Sequence, residues 1–328
     1  MKYRTFGKTG WQVSEVGLGT WALGSDAWGD VDEEQALEVL DEAQKQGINF
    51  FDTADVYGDG TSEKRIARSL KNTDERIYVA TKFGRRLDPH TSSGYTKGNL
   101  EGFLERSLRK LEMDTVDLVQ LHCPPTEVYY RPEIFEAMED FVDQGMVRYY
   151  GVSVEKVEEG LKALEYPNLA SVQIIFNMFR QRPADLFFER ASERDVAIIT
   201  RVPLASGLLT GKYDRTSEFP ENDHRNFNRK GEEFDVGETF AGVNFETGLD
   251  GAAEIEEVRP QGFTMAQLAI KWILEHDDVN VVIPGAKNRG QVRDNTEASD
   301  LPGLPDNVMD KVDRVYEKHV KEQVHQRW

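Results

Sequence analysis

The sequence predicts an α/β fold: one (β/α)8 TIM barrel over residues 1–328, with a β-hairpin before it and a long loop after its seventh strand. Three observations predict it. Short apolar runs and amphipathic segments alternate eight times along the chain, the count that closes a barrel in ~250 residues. The apolar runs are continuous rather than interleaved with polar residues, as parallel strands buried on both faces require. The GxGxxG turn that opens a doubly wound nucleotide-binding sheet does not follow the first strand, where "GLGTWALG" has the wrong spacing.

In chain order, two short extended pieces flank the Gly7–Gly10 turn and read as the hairpin, and strand one falls near Val16–Thr20. The first helix, "DEEQALEVLDEAQKQG", is acidic at its start and closes on Gly47 as a C-cap. Strand two, "NFFDTA", precedes "SEKRIARSLK", and strand three, "IYVATKF", precedes "TKGNLEGFLERSLRKLEM". Strand four, "VDLVQLH", leads to "PEIFEAMEDFVDQG", with Pro132 early and Gly145 after its end. "VRYYGVS" with "EKVEEGLKALEY" and "SVQIIFN" with "ADLFFERASERD" make units five and six. Strand seven, "VAIITRVPL", reaches its helix "TMAQLAIKWILEHD" only after an aperiodic stretch from Leu208 to about Ala252, rich in Gly, Asn and charge. A segment that long reads as a functional loop or lid. Strand eight, "VNVVIPG", leads to "NRGQVRDNTEAS", and a last helix runs from about Asp306 to Glu322.

Composition excludes several classes of function. No apolar run approaches the ~20 residues that span a bilayer, and "MKYRTFGKTG" lacks the apolar core of a signal peptide, so a cytoplasmic location is expected. The net charge of −19 argues against nucleic acid, whose phosphates need a basic surface. It suits solubility or a salt-rich cytoplasm instead. The single cysteine, Cys123, rules out an internal disulfide and a Cys-based metal cluster and reads as a packing residue. Of the six histidines only His122 stands at a strand end, so no metal is assigned.

Chemistry in such barrels gathers where the strands end. Strand one ends at Thr20–Trp21, strand two at Asp52 with Tyr57 in the following loop, strand three at Lys82 and strand four at His122. Strand five ends at Ser153, strand six carries Gln173, strand seven ends at Arg201 and strand eight at Gly285. Each polar residue alone fits a capping or solvated role. Four ionisable residues of complementary type, on three consecutive strands, must converge over one mouth. A phenol with its usual pKa of ~10 exchanges protons poorly at neutral pH, and a nearby ammonium lowers that value. Asp52 would hold Lys82, Lys82 would tune Tyr57, and His122 would orient the oxygen that Tyr57 protonates. That is a general acid with an oxyanion clamp, suited to a carbonyl that becomes an alcohol. No GxSxG nucleophile turn is present, and the natural missing reactant is a hydride from a nicotinamide cofactor.

Taken together, "GLGTWALG…WG", "FDTADVYGDGTSE", "VATKFG", "LHCP", "GVS", "LASGLLTGKY" and "IPGAKNRGQVRDN" resemble the aldo-keto reductase superfamily, from about Lys2 to Asp310. The resemblance implies that Asp52, Tyr57, Lys82 and His122 form a catalytic tetrad and that hydride passes from NADPH to a small-molecule aldehyde or ketone. It implies cofactor contacts from Thr20 and Trp21, and from Ser153 and Gln173 to the nicotinamide carboxamide. Arg201 stands where many members stack a tyrosine on the nicotinamide. Pro203, Leu204, Ser206, Gly207 and Lys212 match the segment around the pyrophosphate. Gly285, Lys287 and Gln291 fall in the adenosine-phosphate site, with Asp294 and Asn295 meeting the adenine. Gly285–Ala286 replaces a Lys–Ser start that grips the 2′-phosphate, and Gln291 replaces a frequent arginine. Lys287, Arg289 and, from the long loop, Arg225 are expected to supply the positive charge, which puts NADPH ahead of NADH. Trp21, Trp28 and Phe83 are expected on the substrate wall. Some members serve ion channels, so the alternative is an NADPH-binding regulatory or redox-sensing subunit with little turnover.

Overall fold

In a computed structural model describing residues 1–24, 28–29 and 31–328, a short hairpin precedes one parallel sheet of eight strands in sequence order. The hairpin strands are β1 (Tyr3–Thr5) and β2 (Gln12–Ser14). The sheet contains β3 (Leu18–Gly19), β4 (Phe50–Asp52), β5 (Tyr78–Phe83), β6 (Val116–His122), β7 (Val147–Ser153), β8 (Ser171–Ile175), β9 (Ala197–Arg201) and β10 (Val279–Val282). Parallel bridges from Val16 to Val282 and from Gly19 to Gly285 curl it into a barrel. The Gly17 N–H donates to Val282 O at 2.8 Å and the Gly19 N–H to Pro284 O at 3.1 Å. Strand one is thus shorter than the expected Val16–Thr20, because its first residue meets β10 only as an isolated bridge.

Register and alternation sort the side chains. Asp52 lies opposite Ala80, Lys82 opposite Gln120 and His122 opposite Ser153. Along β5, Ala80 and Lys82 turn into the barrel while Val79 and Phe83 pack outward among the helices, as a period of two demands. Inside, Phe6 from the hairpin sits 5.3 Å from Phe50 and joins Leu118, Ile199 and Val281 in an apolar plug. That plug fills the end where the strands begin, leaving polar groups the opposite mouth.

The aperiodic stretch is shorter than the predicted Leu208–Ala252. Asn244 caps a regular helix, Phe245–Glu256, by accepting from the N–H groups of Glu246 and Thr247. Glycines disguised it. A Cβ on Gly248 would lie 2.5 Å from Leu208 Cδ1, and one on Gly251 would lie 3.2 Å from Phe179 Cε1. Both are glycine because the helix packs closely there, not because the chain turns. Among the described residues, no helix is long and apolar enough to cross a membrane.

Candidate active site

Asp52 ends β4 with its carboxylate inside the barrel. Lys82 Nζ donates to Asp52 Oδ1 at 2.6 Å, to Thr53 O at 2.8 Å and to the Tyr57 hydroxyl at 3.3 Å. The ion pair is buried, with side-chain exposures of 1% for Lys82 and 3% for Asp52. Tyr57 is carried by the turn after β4, which folds its ring back over the mouth. That turn depends on Gly58, whose φ is +58° and whose added Cβ would lie 1.4 Å from the Gly24 carbonyl oxygen. His122, ending β6, stands edge-on to Tyr57 with ring centroids 6.0 Å apart. The fold therefore assembles all four residues of the expected tetrad. Gln173 Nε2 donates to Asp52 Oδ2 at 2.7 Å, and Ser153 Oγ donates to Gln173 Oε1 at 3.4 Å. The Ser153–Gln173 pair thus buttresses the acid that holds the lysine.

Electrostatics correct one expectation. Burial raises the Tyr57 phenol above its ordinary value, and the pull of Lys82 in the other direction does not overcome it. The net lowering expected from the sequence is reversed because removal from water disfavours phenolate more than one ammonium, itself paired to Asp52, favours it. Burial opposes charge on Lys82 too, but Asp52 and Tyr57 outweigh it and its pKa is raised. His122 is held well below its usual range, first by burial and then by Arg85, Lys82 and Arg201, so it is a neutral imidazole.

Two cavities meet here. The wider, about 580 Å³, is lined by His122, Cys123, Arg85, Glu155 and Phe234 among others. The narrower, about 280 Å³, is a groove running from Asp52 and Gln173 past Arg201 to the loop after β10. Trp21, Tyr57 and Glu238 line both. The groove collects the expected cofactor residues: Thr20, Trp21, Gln173 and Arg201 at one end, then Pro203, Leu204, Ser206, Gly207 and Lys212. Arg225, Gly285, Lys287, Gln291, Asp294 and Asn295 line its far part. Ser153 does not line it and lies behind Gln173.

The groove fits a dinucleotide on its own features. Val202, Ala205, Ser206 and Gly207 have φ of 56°, 46°, 54° and 101°, a tight left-handed turn closed by the Ala205 and Gly207 N–H groups donating to the Val202 and Leu204 carbonyls, and Lys212 beside it in the groove offers a cation to a phosphate. Gly207 is required there, since a Cβ would lie 2.5 Å from Tyr213 Cε2. Farther along, Arg225 donates from Nε to Asp223 Oδ1 at 2.7 Å and stacks over Trp28 and Phe219 at 5.0 and 4.5 Å. Its charge is therefore partly compensated, which the sequence did not disclose. Lys287 donates from Nζ to the Trp28 carbonyl. Burial and then Arg225 push its pKa down, a strain that a phosphate would relieve.

Two substrate-wall expectations change. Phe83 is fully buried in the outer core and packs 6.5 Å from Phe103, because the residue after inward-facing Lys82 must face outward. Trp28 lines the groove and not the wider cavity. Trp21 keeps its place, stacked on Tyr57 at 5.9 Å.

Sequence reading missed an ionic group around the wider cavity. Arg85 NH2 donates to Glu238 Oε1 at 2.6 Å and to Glu155 Oε1 at 3.2 Å, and Arg201 NH1 lies 3.6 Å from Glu238 Oε1. Arg201 also donates from NH2 to Val154 O at 3.0 Å. Arg85 and Glu155 each lie two residues past a strand end, so position marked them. Glu238 belongs to the long loop, and nothing local did. Cys123, Glu155 and Glu238 bring one ligand atom each within 4.8 Å of the others, but the two guanidiniums already supply the positive charge there.

A barrel with this strand-end ion pair, phenol and imidazole beside a dinucleotide-sized groove defines a class that the comparisons identify. The aldo/keto reductase family model matches residues 15–317, and the chain belongs to that family of oxidoreductases. It is similar to aldo-keto reductase YhdN of Bacillus subtilis, 30% identical over 316 residues covering 95% of this chain and 92% of the relative. It is also 30% identical over 292 residues to the NADP(+) aldo-keto reductase yakc of Schizosaccharomyces pombe, covering 86% of this chain and 83% of that one. Among solved structures, the glycerol dehydrogenase AKR11B4 of Gluconobacter oxydans superposes with a TM-score of 0.80 at 28% identity, over 97% of this chain and 96% of that one.

Proposed function

We propose that the protein is an NADPH-dependent reductase of aldehydes and ketones that also runs in reverse on alcohols. The observation that carries this is Lys82 bridging Asp52 and the Tyr57 hydroxyl at the junction of a dinucleotide-sized groove and an open cavity. The NADP(+)-named relative supports the choice of nucleotide, as do Lys287 and Arg225 at the far end of the groove. Bound in that groove, NADPH would supply the hydride.

The chain's own residues do the rest. Substrate enters the wider cavity, where neutral His122 and Tyr57 face its carbonyl oxygen. Because burial keeps the phenol protonated, Tyr57 waits as an acid rather than a phenolate. As the carbonyl carbon accepts hydride, the O–H bond of Tyr57 breaks and its proton forms the alcohol O–H. The phenolate left behind is stabilised by the Lys82 ammonium, which Asp52 and the Thr53 carbonyl hold in place. Solvent then reprotonates Tyr57.

Tyr57→Phe tests this. Loss of NADPH absorbance with a panel of aldehydes should slow at least 100-fold, or about 2.7 kcal/mol. NADPH affinity, measured by fluorescence, should be nearly unchanged, because the phenol acts on substrate. If the variant keeps more than about a tenth of the rate, the acid role is wrong. Wild-type protein that binds NADPH but consumes none would instead favour the regulatory-subunit reading.

A further inference from the structure

Among the described residues, only Trp21, Tyr57 and Glu238 line both cavities, and Glu238 is the one of the three with a full charge. Its carboxylate joins two guanidiniums that belong to different sites. Arg85, 2.6 Å away, lines the wider cavity, and Arg201, 3.6 Å away, lines the groove beside Asp52 and Gln173. Glu238 is also fixed in space. Ser206 Oγ donates to its backbone carbonyl at 3.1 Å and accepts from the Phe240 N–H at 3.1 Å, tying the long loop to the left-handed run of the groove. Phe240 and Ala241 hold φ of 53° and 57°, a strained pair that keeps the loop turned inward. Despite burial, the two arginines keep Glu238 ionised, with its pKa below the usual carboxylate value.

We infer that Glu238 is a positioning residue whose one negative charge offsets part of the charge of Arg201 at the hydride-transfer junction and of Arg85, which Glu155 also pairs, in the substrate cavity. It thereby sets both the balance between oxidised and reduced cofactor and the charge of the substrate accepted. The inference rests on the proposed NADPH-dependent reduction. Its logic is charge balance. An oxidised nicotinamide ring carries one positive charge and the reduced ring none, so an uncompensated Arg201 would disfavour the oxidised form selectively. With Glu238 gone, Arg85 keeps only Glu155, whose carboxyl burial pushes up to about 7, and would attract a substrate carboxylate that Glu238 now repels. Cationic carbonyls gain nothing from either arginine, so the unmodified cavity favours neutral or ammonium-bearing substrates over keto acids and carboxy-aldehydes.

The experiment is Glu238→Gln in the full chain, with circular dichroism to confirm folding. Dissociation constants for NADPH and NADP+ are measured by calorimetry. kcat/KM is then compared for benzaldehydes bearing a para carboxylate, methyl ester or trimethylammonium group. Expected are a rise in the NADP+ constant at least threefold larger than that in the NADPH constant, and a gain of at least fivefold for the carboxylate relative to the ester. Glu238→Asp, which keeps the charge, should restore both ratios most of the way. Arg201→Met should move the cofactor ratio the opposite way, and this keeps the test alive if Glu238→Gln does not fold. Equal loss of affinity for both nucleotides, with the substrate ratios unmoved, would mean a merely structural carboxylate and overturn the inference. The binding arm needs no turnover. Wild-type protein that reduces none of the three aldehydes would therefore count against the reductase reading, while the nucleotide ratio still judges Glu238.

Discussion

Replacing Lys82 by methionine removes the ammonium that lies 3.3 Å from the Tyr57 hydroxyl and 2.6 Å from Asp52 Oδ1. At an effective dielectric constant of ~20, a unit charge at that distance favours a phenolate by about 5 kcal/mol. Asp52, beside the same ammonium, cancels part of this. A remainder of roughly 2.7 kcal/mol corresponds to a ~100-fold loss in kcat/KM. The same substitution strands a buried carboxylate. Asp52 would keep Gln173 Nε2 at 2.7 Å but no cation, and breaking one side of a buried ion pair costs about 3–5 kcal/mol of stability. The two effects separate in the double variant Asp52→Asn with Lys82→Met, which has no stranded charge. Urea unfolding should show that the double variant recovers most of the stability lost by Lys82→Met. NADPH consumption should show that it recovers none of the rate. If the rate returned together with the stability, Lys82 would be holding the mouth together rather than stabilising a phenolate. Lys82→Met alone running within tenfold of wild type would refute the reasoning as directly.

Two further outcomes concern Asp55 and Phe83. Asp55 is fully buried with no hydrogen-bond partner on either carboxylate oxygen, and burial, then Glu63, push its pKa up to about 7 against the opposing pull of Arg86 and Arg106. A folded pKa above the unfolded value of ~3.9 means that ionisation costs stability as pH rises from ~4, with the full cost present above about 7. Asp55→Asn should therefore melt higher than wild type at pH 8, by roughly 4 kcal/mol in stability, and match it near pH 4; parallel melting curves across that range would contradict this. Phe83→Ala should cost ~3 kcal/mol of stability through an outer-core cavity while leaving KM for a small aldehyde unchanged, and a KM shift with intact stability would put Phe83 back on the substrate wall.

Much of the site is legible in the amino-acid sequence. Asp52, Lys82 and His122 end apolar runs, and strand ends in a closed parallel barrel share one mouth whatever the details of packing. Tyr57 was readable because the glycine-rich turn after Asp52 can only fold back. The same rule of alternation would have removed Phe83, which directly follows inward-facing Lys82 and so must point away from it. The helix Phe245–Glu256 was hidden because Gly248 and Gly251 look like turn residues until Leu208 and Phe179 are seen against them.

What the chain's local pattern determined was therefore the barrel, its open end and the residues delivered there, since periodicity and strand termini are properties of neighbours in sequence. Tertiary structure alone decided the rest. Arg85 and Glu238 meet across 153 positions of chain, and Lys287 meets the Trp28 carbonyl across 259. The proton affinity of Tyr57 depends on how deeply it is buried against how near Lys82 lies. Those are distances through space between residues remote in sequence, and electrostatic energy depends on such distances and on the exclusion of water.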